Sequence, residues 1–179
     1  MKTINGVLGV DIGGVIIGRG SDREDTSFFG PNYLLTESVT GVFESLRQLR
    51  DTGFDIFLVS KCGKTTEEKS KDWLKHHNFY RLTGVDESSV RFCRKRRDKA
   101  NICEELGVTH FVDDRLEVLS YLENVSNLYL FNPDEEEVRL FDSFLSKVSR
   151  VSSWQDLTPL LLKSKIATEN LETAKFPGK

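Results

Sequence analysis

Cysteine is scarce in this chain of 179 residues, and the three present, Cys62, Cys93 and Cys103, are odd in number and lack zinc-ligand spacing. That composition argues against a disulfide framework and against a small zinc module, and reduced thiols are expected. Long apolar runs are also missing, so no segment suits a membrane span. The first apolar run is short and is broken by Gly9 and Asp11, the wrong sequel for a signal peptide. A cytoplasmic protein that does not associate with membranes is the expectation. A large charge of one sign is absent too. The net charge is −3, too small to imply a polyanionic or polycationic partner. There is no internal repeat and no linker that divides the chain. One domain over 1–162 and a polar tail over 163–179 are expected.

What is present is enough apolar sequence for a sizeable core, arranged in alternating short runs. Val7 to Val10 reads as a strand buried on both faces, ended by Asp11 and a Gly13-Gly14 turn. Val39, Val42, Phe43, Leu46 and Leu49 mark one face of a helix within Thr36–Thr52. Phe54–Val59 is a second strand, closing with Ser60-Lys61-Cys62-Gly63-Lys64, and a helix carrying Trp73 and Leu74 follows it. Val90–Cys93 is a third strand, followed by the basic run Arg94–Arg97 and a helix that begins near Lys99. Val108–Val112 is a fourth strand, ending in Asp113-Asp114. Arg115–Asn124 is helical, and Asn127–Phe131 is a fifth strand. Pro133 opens a last long helix, with Leu140, Phe141 and Phe144 facing the core, and a terminal helix lies around Leu157–Leu162. Strand and helix in alternation predict an α/β fold, a doubly wound five-stranded parallel sheet with helices on both faces. Right-handed crossovers bring the carboxyl ends of the strands to one edge, where such folds bind ligands.

Four strand ends deliver chemistry to that edge. Asp11 alone is either the carboxylate of an ordinary Asp-x-Gly turn or a nucleophile or metal ligand. Together with Asp113 and Asp114 it makes a cluster of carboxylates that repel unless a cation lies between them. Magnesium, which favours a few carboxylates plus a phosphate, fits such a cluster. Ser60 and Lys99 offer a hydroxyl and a positive charge suited to phosphate oxygens. Arg94–Arg97 reads as a solvated basic turn that steers an anionic substrate. A nucleic-acid partner is not expected, because the chain is acidic overall and has no stacking stripe of aromatic residues. Cys62 is either an incidental loop thiol or one made reactive by Lys61 and Lys64.

Asp11 after the first strand, Ser60 after the second, Lys99 at a later helix and Asp113-Asp114 after the fourth strand resemble the motifs of the haloacid dehalogenase-like superfamily. The resemblance covers roughly residues 6–131. It implies Asp11 as nucleophile, Ser60 and the adjacent Lys61 as phosphate contacts, and Lys99 as the charge-balancing cation. It also implies magnesium held by Asp11, the backbone carbonyl of Gly13 and Asp113, with Asp114 in support. One departure matters. Phosphatases of this superfamily carry a second aspartate two residues after the nucleophile, as general acid and base, and here that position is Gly13. General acid–base catalysis contributes about 10²–10⁴-fold. The expectation is therefore a magnesium-dependent phosphohydrolase of reduced turnover, or a binding domain that keeps the metal and phosphate sites. The intervals 18–36 and 64–89 are too short for a cap domain. An open site for a phosphorylated substrate, large or macromolecular, is what the resemblance implies.

Overall fold

The structure is a computed structural model that describes residues 6–20 and 26–174, with side chains through residue 164. Its strands are β1 (Gly6–Val10), β2 (Phe54–Lys61), β3 (Val90–Cys93), β4 (His110–Asp113), β5 (Asn127–Phe131) and β6 (Ser149–Val151). The helices are α1 (Val42–Asp51), α2 (Lys64–His76), α3 (Phe79–Thr83), α4 (Asp98–Glu105), α5 (Leu116–Ser120), α6 (Glu135–Leu140) and α7 (Trp154–Ala174). The strands form one sheet in the order β3-β2-β1-β4-β5-β6, parallel throughout.

The sheet is buried on both faces, and its strands alternate between two cores. Leu8, Val10, Ile56, Leu58, Val112, Tyr129 and Phe131 point into one core, which is completed by Leu46 and Leu49 of α1, Trp73 of α2, Phe79 of α3 and Trp154 and Leu157 of α7. Val59, Phe111, Leu128 and Leu130 point into the other, against Cys103 of α4, Leu116 and Leu119 of α5 and Val138 of α6. Helices thus cover both faces, as the alternating apolar runs require. Close approach of strands has a sequence cause at Gly9, where a Cβ would stand 2.4 Å from the Phe111 ring.

Several elements differ from expectation. The sheet has six strands rather than five. The extra one, Ser149–Val151, pairs with β5 at the sheet edge, and three residues carry no alternation to read. Helix α1 starts at Val42, not near Thr36. Gly41, at φ +77°, is its N-cap, and Val39 instead donates its N–H to the Ile16 carbonyl. The predicted long helix after Pro133 ends at Leu140 and gives way to a 3-10 helix over Asp142–Lys147. Leu140, expected in the core, is 78% exposed. At the other end of the chain α7 runs helical to Ala174, past Leu162, through a stretch rich in Ala, Leu, Lys and Glu, which are good helix formers. Pro177 and Gly178 lie outside the described residues.

Strand order reverses between β1 and β4, with β1–β2–β3 running one way and β4–β5–β6 the other. A crevice opens at such a switch point, beyond the carboxyl ends of the two central strands. Asp11 directly follows β1, and Asp113 is the last residue of β4.

Candidate active site

A cavity of about 570 Å³ lies at this edge. It is lined by every residue given a nucleophile, phosphate or metal role above: Asp11, Gly13, Ser60, Lys61, Lys99, Asp113 and Asp114. The sheet register accounts for much of this. Val10 pairs with Val112 and Leu58, so Asp11, Asp113 and Ser60 emerge within one turn of chain of one another.

Lys99 is the centre of the polar arrangement. Its side chain is 2% exposed and its Nζ donates to Asp11 Oδ1 at 2.8 Å and to Asp113 Oδ2 at 2.7 Å. Lys99 is set there by α4, which packs against β2 and β3. Burial alone would lower the Lys99 pKa, but the two carboxylates prevail and hold the ammonium protonated, above its usual range. Asp113 is 1% exposed, and its other oxygen accepts the Arg115 N–H at 3.0 Å. Burial pushes the Asp113 carboxyl up, Asp11 and Asp114 adding to the effect and Lys99 opposing it. Asp114 is raised in the same way, chiefly by burial and by the Asp11 charge.

Oxygens of Asp11, Asp113 and Asp114 lie within 4.8 Å of one another. Three carboxylates so close carry more negative charge than one buried ammonium offsets. Arg19 supplies part of the difference through a 3.3 Å contact with Asp114, but its side chain is largely in solvent. An all-oxygen donor set with residual negative charge fits a hard divalent cation such as magnesium.

The turn after Asp11 explains the two glycines differently. Gly14 has φ +77°, and a Cβ there would stand 2.5 Å from Asp114 Oδ2. Glycine is required at that position by backbone and by space. Gly13 lies outside the left-handed region, and a Cβ added to it would meet nothing within 4 Å. A Cβ has room at Gly13.

Some residues at the site carried no legible signal. Arg19 reaches Asp114 across 95 positions of sequence. Glu137, in the first turn of α6, caps α5 by accepting the N–H groups of Leu116 and Glu117 at 3.0 and 2.8 Å. The basic run is partly tied down: Arg94 pairs with Glu67 and donates to the Cys62 carbonyl, and Arg96 pairs with Glu117. Arg96 alone of that run lines the cavity. Cys62 lies at the cavity as expected, but burial and the Glu67 charge push its thiol up, and Arg94 only partly opposes them. The thiol is therefore not activated, which corrects the idea that neighbouring lysines lower it. Trp73 and Trp154 are fully buried core residues.

Two solved structures share this architecture. D,D-heptose 1,7-bisphosphate phosphatase from B. bronchiseptica, complexed with magnesium and phosphate, is 14% identical at a TM-score of 0.61, over 89% of this chain and 99% of that one. A HAD family hydrolase from Deinococcus radiodurans R1, with bound phosphate and sodium, is 13% identical at a TM-score of 0.54, over 88% and 94% of the two chains. The fold is that of the haloacid dehalogenase-like (HAD-like) hydrolases. In sequence, a protein of Oceanobacillus iheyensis bearing the name nucleotidase is 28% identical over 116 residues. That match takes in 65% of this chain, and the chain spans 57% of the relative's length. No protein-family profile matches the chain. Among the described residues no helix is long and apolar enough to cross a membrane. The HAD-like core here carries no cap domain among its described residues: 64–89 holds only α2, α3 and a short 3-10 helix before β3.

Proposed function

We propose that this protein is a magnesium-dependent phosphohydrolase, acting on phosphorylated substrates through Asp11. The observation that carries the reading is the buried Asp11–Lys99–Asp113 bridge at the switch point, set beside a third carboxylate. Asp11 would hold the metal together with the Gly13 carbonyl and Asp113, and Asp114 would support it. A metal bound there supplies electrostatic stabilisation of the charge that builds on the transferring phosphoryl oxygens. Lys99 engages one Asp11 oxygen at 2.8 Å and leaves the other available to attack phosphorus. The bridge also fixes the direction of that oxygen, because Lys99 is itself packed in the core. Ser60 and Lys61, at the end of β2, would bind the remaining phosphoryl oxygens, with Arg96 adding positive potential at the rim. The open cavity suits a phosphate on a large substrate. A nucleic-acid partner is not proposed, because Arg94 and Arg96 of the basic run are paired with Glu67 and Glu117.

Turnover is expected to be weak, because Gly13 provides no acid for the leaving group. The same observation favours a second reading, a binding or regulatory domain that retains metal and phosphate. The test is hydrolysis of an activated aryl phosphate with magnesium by wild type and by Asp11→Asn. Loss of at least a hundredfold in the variant is expected, as for removal of a nucleophile. Equal rates would remove Asp11 from the chemistry. No turnover by either protein, with phosphate binding intact, would favour the second reading.

A further inference from the structure

Five carboxylates line the cavity, and each is already committed. Asp11 and Asp113 bind Lys99. Asp114 binds Arg19. Asp134 caps α6 by accepting the N–H groups of Glu136 and Glu137, and Glu137 caps α5. Among the described residues no histidine and no tyrosine lines the cavity. Lys61 and Arg96 are cations, suited to phosphate oxygens but unable to accept a proton from water at neutral pH. Gly13, two residues after Asp11, has open space at its Cβ position but carries no side chain.

Two half-reactions respond differently to this lack. In the first, an Asp11 oxygen forms a bond to phosphorus while the bond from phosphorus to the leaving oxygen breaks. The electron pair departs with that oxygen. A carboxylate leaving group carries the pair as a stable anion and needs no proton, whereas an alkoxide does. In the second half-reaction, water must attack the aspartyl-phosphate and surrender a proton, and no group described at the site is placed to take it.

We propose that Asp11 acts as a phosphoryl acceptor that takes the group from donors of the acyl-phosphate class and keeps it, so that the phosphorylated protein is a lasting state and not a passing one. This rests on the phosphoryl-transfer reading given above, and it names both the donor class and the outcome. The phosphorylated carboxylate would stand at the end of β1, against Lys99 and beneath the turn that carries Gly14 and Arg19. Its formation replaces one negative charge of the carboxylate cluster with a dianionic group, a change the surrounding cations must answer.

The experiment incubates wild type, Asp11→Asn and Gly13→Asp with magnesium and acetyl phosphate, and in parallel with glycerol phosphate. Intact-mass spectrometry and released phosphate are followed together. With acetyl phosphate, wild type is expected to gain the mass of one phosphoryl group, removable by hydroxylamine, with release stopping near one equivalent. Asp11→Asn should gain none. Gly13→Asp should lose the adduct about 10²–10⁴-fold faster and release phosphate continuously, as expected when an acid–base group is supplied. With glycerol phosphate, wild type should show neither adduct nor release. Continuous turnover by wild type without an adduct would overturn the inference while leaving the phosphohydrolase reading standing. An adduct that persists equally on Asp11→Asn would place the phosphoryl group elsewhere and overturn the inference as well. Absence of both adduct and release from wild type and Gly13→Asp alike would overturn the underlying reading, and the inference with it.

Discussion

Two adjacent glycines, Gly13 and Gly14, do unlike things, and the difference can be measured. Gly14 combines a left-handed backbone with a Cβ position 2.5 Å from the Asp114 carboxylate. Gly14→Ala is expected to cost about 1–3 kcal/mol, the range for a residue forced into a sparsely populated conformation, and to displace Asp114 from Arg19. Gly13→Ala, at an exposed position with open space, should change stability by no more than about 0.5 kcal/mol. Urea denaturation of the two variants beside wild type decides the matter, and equal losses would mean that the turn is not held as described. Single residues were legible in sequence where they ended a strand or opened a helix. Asp11, Ser60, Lys99 and Asp113 all do, and chain order alone then sends them to one edge. Arg19 and Glu137 were not legible. Their partners are chosen by how distant loops meet, and nothing local in Gly18–Gly20 or in Glu135–Glu137 encodes that choice.

At the level of elements, α7 reaches the turn that follows Asp11. Trp154, its first residue, is fully buried and donates its indole N–H to the Val15 carbonyl at 2.9 Å. Its ring also lies 5.9 Å from that of Phe131, at the end of β5. One side chain thus ties the last helix to the segment that presents Asp11, Gly13 and Gly14. Trp154→Phe keeps much of the apolar contact but leaves the Val15 carbonyl unsatisfied in the core. A loss of about 1–3 kcal/mol is expected, the penalty for a buried acceptor without a partner. Hydrogen exchange of the Ile16 and Ile17 amides, both bonded to Ile12, should quicken more than that of amides in β5. Uniform acceleration across the sheet would show that α7 supports the fold generally and not this turn. The strands and helices that sequence located well, β1, β2, β3, β5 and the body of α1, each carry a readable apolar run. Those it missed lack one. Ser149–Val151 is too short to alternate. Val39 fits the helical spacing of α1 yet packs on the core from an extended segment, because a contact pattern of three and four does not require one continuous helix. Phe141, Phe144 and Leu145 likewise cover the second core from irregular turns, so their spacing overstates the length of α6.

For the molecule as a whole, the response to acid depends on a residue far from the candidate site. His110 is the first residue of β4, at the opposite end of that strand from Asp113. It is buried, its Nδ1 and Nε2 lie within hydrogen-bond reach of Thr109 Oγ1 and Ser164 Oγ, and its ring packs against Phe54 and Tyr129. Burial lowers its pKa to about 4. An imidazole whose pKa falls on folding is neutral in the native state and takes up a proton only when the chain unfolds. Its contribution to stability is therefore complete above the unfolded value, about 6.5, and is lost as pH falls from there towards 4. The size is about 2 kcal/mol, after reducing the full shift for solvent at the strand end. The carboxylates at the other end of β4 have pKa values displaced upwards, so their protonation in the same range acts in the opposite direction and masks the histidine in wild type alone. A difference between two proteins removes that masking. His110→Gln retains polar contacts to Thr109 and Ser164 but has no proton to gain. The stability gap between wild type and His110→Gln, from urea midpoints at fixed ionic strength, should narrow by about 2 kcal/mol between pH 7.5 and pH 4.5. A gap that stays constant across that range would mean that His110 is protonated equally in the folded and unfolded chain, and that the base of β4 admits water.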